Sequence, residues 1–317
     1  MKLSVVICAY TLDRWAQIVT AVHSVQEQTT GHCEILLVCD HNSALLRRAE
    51  AQFSDIRVLA NASTQGLSGA RNTGVLAAAG DIIAFLDDDA IAAPDWAAQL
   101  QAAYQDDDAI GVGGRVLPLW EAPRPPWLPE EFLWVVGCSY AGQPSTRAPI
   151  RNAIGANMSF RAEVFAAVGL FDVGVGRIGK DAGGCEETEL SIRAARMRPG
   201  AKIVLEPTAL CQHLVTPDRL TRQYFRRRCR AEGRAKAVVS TMIGAGAALE
   251  SERDYVRRVL PRGVVRGLRE LLRGDVAAGR RAAAILEGLF LTGSSYLAAV
   301  ASLRIRSLRT RAGGPGG

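Results

Sequence analysis

The sequence lacks the cysteine, leader and repeat patterns that identify several classes of protein. Its seven cysteines are odd in number, scattered from Cys8 to Cys229, and contain no C-x-x-C pair. This distribution argues against a zinc ribbon and a disulfide framework, and it favours a reducing compartment. No segment repeats at a fixed period. Because the chain opens with the strand-like MKLSVVICAY instead of a charged leader and cleavage site, we expect no secretory signal.

Acidic and basic residues are unevenly distributed along the 317 residues, of which 48% are hydrophobic. That length and composition suit one large domain, or a domain with an appendage. Residues 1–218 hold 17 Lys and Arg against 25 Asp and Glu, whereas residues 219–317 hold 21 against 7. We therefore predict an acidic domain at 1–218, a basic helical extension at 219–312 that favours anionic surfaces, and a disordered tail at 313–317.

Strand and helix patterns alternate through the first ninety residues. Apolar, β-branched runs predict strands at 3–10, 33–40, 56–61 and 81–87, and helical spacing predicts helices at 15–28, 43–53 and 66–80. This alternation predicts an α/β fold with a parallel sheet between helices. Ligands of such sheets bind at the carboxyl ends of the strands, where Tyr10, Asp40 and Asp87 fall.

The remainder of the chain has a different texture. Residues 118–137 are rich in Pro and Trp, which predicts a long ordered loop crossing the sheet, with no central strand at its start. A strand and a helix follow at 154–171, a helix at 184–197 and a pair of strands at 201–213. From about residue 219 the pattern is helical and basic.

Three consecutive aspartates end the strand IIAFL. Side chains two residues apart in an extended segment point to the same side, so Asp87 and Asp89 converge while Asp88 points away. Two convergent carboxylates suit Mg²⁺ or Mn²⁺, which often bind together with substrate phosphates. The alternative is a polar turn that follows a buried strand.

Five segments together resemble the ordered motifs of inverting family 2 glycosyltransferases. They are SVVICAY, EILLVCDHNS, GLSGARNTGVLAAAGDIIAFLDDD, IGANMSFR and GCEETEL, and the resemblance covers roughly residues 3–215. It implies the GT-A nucleotide-sugar-binding fold, a mixed and mostly parallel sheet between helices, here with a C-terminal helical extension. It also implies transfer of a sugar from a nucleotide-diphosphate donor to a hydroxyl, with inversion and with Mg²⁺ or Mn²⁺ on the diphosphate.

The resemblance also implies roles for individual residues. On the donor side it places Ala9, Tyr10, Asp40, Arg71, Asn72, Asp87 and Asp88, with Arg71 and Asn72 facing the nucleotide or supporting the strand end. The metal ligands would be Asp87, Asp89 and His213, although a lone His is more often structural. The segment CDHNS departs from the family pattern at Cys39 and His41.

A general base is expected in GCEETEL, where the family pattern is Gly-x-Glu-Asp-x-Glu. Glu187 occupies the Asp position and Glu186 is the second candidate; the alternative is that both only favour the start of a helix. Asn157 and Trp134 are predicted on the acceptor side, and Trp127 is a further candidate. Packing of the long loop is an equal alternative for both tryptophans.

Residues 284–303 are about long enough to span a bilayer, but Glu287 and the arginines at both ends favour an interfacial helix or hairpin on anionic lipid. Packing against the catalytic domain and a true span are the alternatives. We expect a cytoplasmic protein on the inner face of the membrane, and no nucleic-acid partner, because no recognition module accompanies the charge.

The sequence also predicts the class of acceptor. WLPEEFLWVVGCSYAG and the basic tail are similar to actinobacterial and archaeal members acting on polyprenyl- or dolichyl-linked sugars, so a lipid-linked saccharide is the first expectation. A soluble metabolite is the alternative within the class. A nucleotidyltransferase should carry a Gly-rich, Lys-containing loop after its first strand, which CAYTLDRW lacks. A non-catalytic membrane- or nucleic-acid-binding scaffold is the third alternative.

Overall fold

The computed structural model describes residues 1–30, 33–176 and 184–312. The predicted tail at 313–317 lies outside this range. Within it, the strands are β1 (Leu3–Ala9), β2 (Glu34–Cys39), β3 (Arg57–Ala60), β4 (Ile82–Asp87), β5 (Ala90–Ala92), β6 (Ala109–Trp120), β7 (Ala148–Ile150), β8 (Asn157–Arg161) and β9 (Lys202–Val215).

The described helices fall into two groups. Those packed on the sheet are α1 (Trp15–Gln26), α2 (Ser43–Gln52), α3 (Leu67–Ala77), α4 (Trp96–Ala103), α5 (Ala162–Val168) and α6 (Glu186–Ala195). Those that follow it are α7 (Arg222–Ile243), α8 (Ala245–Ala248), α9 (Glu250–Asp254), α10 (Leu260–Leu272) and α11 (Val276–Ala312). Short 3₁₀ turns occupy Leu12–Arg14, Glu130–Val136 and Pro217–Leu220, and one π turn occupies Tyr255–Val259.

The strands form one mixed sheet in the order β3-β2-β1-β4-β8-β6-β9-β5, with β7 also paired to β9. The first four strands of this order are mutually parallel. Strand β8 runs antiparallel between β4 and β6, and β6 and β9 are again parallel. The predicted alternation of strands and helices in the first ninety residues, and the mixed, mostly parallel sheet, are confirmed.

Both faces of the sheet are buried. Val5 and Ile7 of β1 belong to a core with α1, α2 and α4, while Val6 between them belongs to a second core with α3, α5 and α6. Side chains alternate across a strand, so a strand covered on both faces must be apolar at nearly every position. This explains the continuous hydrophobic runs that made these strands recognisable.

The segment predicted as a loop from residue 118 begins as a strand instead. β6 continues to Trp120 beside β9, with Pro118 opposite His213. Strand β8 pairs with β6 only at Gly111–Gly113, so Pro118 lies where β6 has β9 on one side alone, and proline is tolerated at such an edge. The predicted strand pair at 201–213 is one strand, β9, whose register against β6 shifts after Glu206.

Residues 284–303 lie inside the single helix α11. This helix packs against α7, where a Cβ on Gly233 would lie 2.2 Å from the backbone oxygen of Thr292. It also forms a helical hairpin with α10. By length and hydropathy, Val276–Ile305 is the one segment in the described residues that could cross a membrane. Of its most apolar 18-residue stretch, 17% is buried.

Candidate active site

The carboxyl ends of β2, β1 and β4 meet at one edge of the sheet, because these strands are parallel neighbours. Asp87 ends β4, Tyr10 follows β1 and Asp40 follows β2. The backbone N–H of Asp40 donates to the carbonyl of Ala9 at 2.8 Å, which joins two of these ends. The sequence prediction that these residues share one edge is therefore correct.

The antiparallel pairing of β5 with β9 brings His213 to the aspartates. Ala90 lies opposite His213, and the carbonyl of Asp89 accepts from the N–H of Leu214 at 2.9 Å. His213 Nε2 then lies 3.1 Å from Asp89 Oδ1. Asp87, Asp89 and His213 offer ligand atoms that all lie within 4.8 Å of one another.

Two arginines neutralise the two buried aspartates of the triplet. Arg14, from the turn after β1, places Nη1 2.8 Å from Asp88 Oδ1 and 3.2 Å from Asp89 Oδ2. Arg219, from the turn after β9, donates from Nη2 to Asp89 Oδ2 at 2.9 Å. The triplet is therefore not a solvated turn. Asp88 points away from the metal candidates, as predicted, toward Arg14.

These contacts set distinct protonation preferences. Burial, followed by the charge of Asp89, raises the pKa of Asp88 to about 7 in spite of Arg14. Burial also works to raise the pKa of Asp89, but His213 and Arg219 hold it well below its usual range. Burial disfavours a charged His213, yet Asp89 raises the pKa of its imidazole to about 10. His213 and Asp89 therefore pair with each other, and coordination of a cation by His213 would require its imidazole to lose the proton.

Asp87, Asp89 and His213 fit a divalent cation by their chemistry. Asp87 is partly exposed and lines a large cavity, which the buried His213 also lines, whereas Asp89 is buried and does not line it. Carboxylates suit Mg²⁺ and Mn²⁺, and an imidazole nitrogen favours the softer Mn²⁺. His213 Nδ1 is buried and has no hydrogen-bond partner among the described residues.

Arg71 connects Asp87, at the end of β4, to Glu186 in α6. Its Nη1 lies 2.7 Å from Glu186 Oε1, and its Nη2 lies 3.6 Å from Asp87 Oδ1. Nη2 also donates to the carbonyl of Gly155 at 3.2 Å. Because the Arg71 side chain is 2% exposed, it supports the strand end and leaves little surface for a nucleotide.

Glu187 is the less buried of the two first-turn glutamates of α6 that line the cavity. Its neighbour Glu186 is buried against Arg71, whereas Glu187 has no cation within ion-pair distance among the described residues. Burial, followed by the charge of Glu186, raises the pKa of Glu187 to about 7. A carboxylate with such a pKa is suited to accept a proton near neutral pH. The two glutamates are thus separated into a structural and a candidate catalytic residue.

One cavity of about 980 Å³ contains these groups and continues to the C-terminal helices. Asp87, Arg71 and Glu187 line one part of it. Its volume lies near the upper end of the range for small-molecule sites, which is enough for a substrate larger than a single sugar.

Comparison with known proteins identifies the family. The family described as Glycosyl transferase family 2 matches residues 4–169, more than half of the chain. The chain belongs to glycosyl transferase family 2. The protein is therefore a glycosyltransferase, and its sheet order, with a mixed and mostly parallel sheet between helices, is the GT-A arrangement.

Two curated relatives of this glycosyltransferase carry names that include a lipid-linked sugar. The glucosyl-dolichyl phosphate glucuronosyltransferase of Haloferax volcanii is 36% identical over 217 residues, which cover 67% of this chain and 69% of that protein. The UDP-Glc:alpha-D-GlcNAc-diphosphoundecaprenol beta-1,3-glucosyltransferase WfgD of Escherichia coli is 37% identical over 90 residues. That match covers 28% of this chain and 35% of WfgD.

A solved structure with the same fold is GalNAc-T7 with UDP, GalNAc and Mn²⁺. It superposes with a TM-score of 0.52 at 20% identity, covering 73% of this chain and 47% of that one. At this identity the likeness concerns the fold alone.

The donor-side residues predicted for the glycosyltransferase differ in accessibility. Tyr10 is half-buried and lies under Arg14, whereas the Ala9 side chain is packed in the core. Asp40 is buried and accepts from Asn61 Nδ2 at 2.7 Å and from the N–H of Gly66 at 2.9 Å. Tyr10 therefore keeps the most open surface of these residues.

Asn72 has a structural environment. Its side chain donates to the carbonyl of Phe171 and accepts from the N–H of the same residue, both at 2.9 Å. It therefore anchors the segment after α5 to α3.

Asn157, which was predicted on the acceptor side, lies inside the sheet. Its side chain is 0% exposed, accepts from Trp96 Nε1 at 2.8 Å, and donates to the carbonyls of Arg115 and Ala209. All its polar atoms are used inside the sheet, so it supports the site without lining it. Trp134 does line the cavity, whereas Trp127 packs on Phe225.

Sequence reasoning missed Arg14 and Arg219, the arginines that hold the aspartate triplet. Both lie in short turns after strands, in the segments TLDRW and TPDRL. The one available signal was their position just beyond a strand end. An arginine there is common, and only the pairing of β5 with β9 brings Arg219 to Asp89.

Proposed function

We propose that the protein is an inverting glycosyltransferase that moves a sugar from a nucleotide-diphosphate donor to a hydroxyl of a polyprenyl- or dolichyl-linked saccharide. Residues 1–218 would form the catalytic domain and residues 219–312 a basic helical extension. The observation that carries the proposal is the single cavity in which Asp87 and Glu187 both lie, joined through Arg71 and Glu186.

Glu187 is the proposed general base. It accepts the proton of the acceptor hydroxyl while the hydroxyl oxygen bonds to the anomeric carbon and the bond from that carbon to the diphosphate breaks. Glu186 cannot take this role because Arg71 binds it in a buried ion pair. One base and one direct displacement result in inversion of configuration at the anomeric carbon.

Asp87, Asp89 and His213 are the residues that would hold Mn²⁺ or Mg²⁺ at the other end of the reacting groups. Such an ion neutralises the charge that develops on a diphosphate leaving group. Arg14 and Arg219 position Asp89, and Arg71 positions Asp87. Tyr10, at the end of β1, is proposed to contact the donor nucleotide, with Ala9, Asp40 and Asp88 supporting that part of the site.

A lipid-linked acceptor is supported by the two relatives and by the surface of α10. One exposed stripe of this helix is apolar and consists of Pro261, Val265, Leu268 and Leu272. The adjacent stripe consists of Arg262, Arg266, Arg269 and Arg273, all exposed. An apolar stripe beside an arginine stripe is the pattern of a helix that lies on an anionic membrane surface.

We therefore assign the membrane contact first to α10, and to the outward-facing Leu286, Phe290 and Leu297 of α11. The inner side of α11 packs on α7, which supports an interfacial position over a span. A peripheral location on the cytoplasmic face of the membrane fits this arrangement.

The activity test is a sugar-transfer assay with a panel of nucleotide sugars, Mn²⁺ and short-chain prenyl-phosphate-linked monosaccharides. We expect transfer from one donor class, with the anomeric configuration inverted when the product is analysed by NMR. Glu187→Gln should reduce kcat by about 10²-fold or more, in line with the usual contribution of a general base. Transfer only to soluble sugars would show that the acceptor is not lipid-linked. Retention of the anomeric configuration in the product would exclude the single displacement.

The membrane test is flotation with vesicles that contain anionic lipid. The wild-type protein should float, and the variant with Gln at positions 262, 269 and 273 should remain at the bottom. Arg266 is kept because it pairs with the buried Glu131 at 2.8 Å. A matched control carries Gln at the exposed Arg47 and Arg115 of the catalytic domain and should float as the wild type does. Equal flotation of the three-site variant would contradict the assignment to α10.

A further inference from the structure

One face of α7 presents polar side chains to the cavity at intervals of four residues. Tyr224, Arg228, Glu232 and Lys236 all line it, and residues four apart on a helix lie above one another. This row extends from the vicinity of the metal candidates toward α9. It therefore brings fixed charge along the cavity wall.

The far end of that row is a built ionic network. Lys236 Nζ lies 2.9 Å from Glu232 Oε1 and 2.5 Å from Glu252 Oε1, and Arg151 pairs with the second oxygen of Glu252. Side-chain exposure is 15% for Lys236 and 12% for Arg151. The carboxylates thus hold both cations in position at the cavity wall, so a ligand would not have to order them.

The network lies beside the proposed base. Cys185 Sγ lies 3.7 Å from Glu232 Oε1, and Cys185 directly precedes the two glutamates that open α6. The charge of Glu232 also contributes to the raised pKa of Glu187. Glu187 and Lys236 therefore line neighbouring parts of the cavity wall.

Apolar and aromatic side chains also line this cavity. They include Tyr255, Val259, Leu289 and Tyr296, which come from the π turn before α10 and from α11. The cavity wall thus combines a carboxylate base, cations and apolar surface, and part of it is formed by the two helices with exposed apolar residues. These groups match the three parts of a saccharide joined through phosphate to a hydrocarbon chain.

We propose that Lys236 and Arg151, together with Arg228, form a subsite for the phosphate that links the acceptor sugar to its lipid chain. This inference rests on the proposed function. The ammonium and guanidinium groups would donate charge-assisted hydrogen bonds to the phosphate oxygens, which are among the stronger polar contacts. The subsite selects acceptors with a phosphate at this position and places their hydroxyl at Glu187.

The test compares two probes by titration calorimetry in EDTA, which keeps cations away from the aspartates. One probe is glucosyl citronellyl phosphate, and the other is citronellyl glucoside, which has the same chain and sugar without the phosphate. The wild-type protein should bind the phosphate probe about tenfold or more tightly, the range of a hydrogen bond to a charged group. Lys236→Met should remove most of this preference and leave the binding of the neutral probe unchanged.

Lys202→Met is the matched control, because Lys202 also lines the cavity but pairs with Asp106 at 2.9 Å. It should keep the preference for the phosphate probe. Since Lys236→Met leaves two carboxylates without their lysine, the double variant Lys236→Met, Glu252→Gln restores the charge balance. It should melt close to the wild type and still lack the preference.

Equal binding of the two probes by the wild-type protein, or a preference that survives in the folded double variant, would overturn the subsite. If Lys202→Met loses the preference for the phosphate probe, the phosphate subsite lies in another part of the cavity, which would overturn the assignment to Lys236. These readouts need no turnover. A protein that binds the phosphate probe selectively but transfers no sugar would refute the proposed function and leave the subsite supported.

Discussion

Arg71 Nη1 lies 2.7 Å from Glu186 Oε1, and the two side chains are 2% and 4% exposed. This buried ion pair joins α3 to the first turn of α6, whereas the adjacent Glu187 has no such cation among the described residues. The relationship gives a physical reason for the order in which the sequence ranks the two glutamates, with Glu187 first and Glu186 second. The position of the proposed base Glu187 therefore also depends on Arg71, which contacts Asp87 as well.

Replacing Arg71 by Met should destabilise the protein strongly. The change leaves Glu186 buried without its cation, and breaking a buried pair in this way typically costs about 3–5 kcal/mol of unfolding free energy. Urea unfolding followed by circular dichroism measures the loss. Glu187→Gln, which changes the residue after Glu186, should unfold at no lower urea concentration than the wild type. An equal loss of unfolding free energy in the Arg71→Met and Glu187→Gln variants would contradict the separate roles of the two glutamates.

The rate of transfer should depend on the ionisation of Glu187. The base acts when deprotonated, so kcat/KM should be constant well above pH 7 and fall about tenfold per pH unit below it, given a pKa of about 7. Glu186, Glu232 and Arg71 are the charged groups that act on this pKa. A rate that stays flat from pH 8 to pH 5 would argue against Glu187.

The same raised pKa has an opposite consequence for stability. The pKa of Glu187 is about 7 in the folded protein and near 4.5 in the unfolded chain, so the folded protein holds the proton more tightly. The contribution of Glu187 to the free energy of unfolding is therefore lost as pH rises through about 7. Glu187→Gln removes that loss. Its unfolding free energy relative to the wild type should therefore be higher at pH 8 than at pH 5.

His213→Gln should weaken the binding of Mn²⁺. Even residues that only orient metal ligands commonly change metal affinity by about 10–100-fold, so loss of a ligand should cost at least about tenfold. Titration calorimetry with Mn²⁺ measures the affinity directly. His23→Gln, an exposed position on α1, is the matched control. Unchanged affinity in His213→Gln would restrict the cation site to the aspartates.

Asn157 and Trp134 should respond to substitution in opposite ways. Asn157→Ala removes three buried hydrogen bonds and leaves Trp96 Nε1 without its acceptor, so it should lower the unfolding free energy by about 1–3 kcal/mol or more. Trp134→Ala should mainly raise KM for the acceptor, because this ring lines the cavity. Thermal unfolding and acceptor titrations distinguish the two, and an acceptor-specific defect in Asn157→Ala would contradict the buried role.

The sequence was most informative where local pattern and burial agree. The alternation of apolar strands with amphipathic helices predicted the first four strands to within one residue, because strands covered on both faces must be apolar throughout. The convergence of Asp87 and Asp89 followed from the two-residue period of an extended chain. Strand β6 was harder to predict, because proline at position 118 is tolerated only where a strand has one neighbour.

The sequence by itself determined which residues carry the chemistry, namely Asp40 and the aspartate triplet at the strand ends and the two glutamates that open α6. Only the tertiary structure decided how these groups are paired. His213 and Arg219 reach Asp89 because β5 pairs with β9, and Arg71 takes Glu186 because α3 packs beside α6. Ion pairs between residues more than a hundred positions apart depend on packing, which no local pattern encodes. The same packing brings Lys236 and Arg151 to the wall of the cavity that holds Glu187.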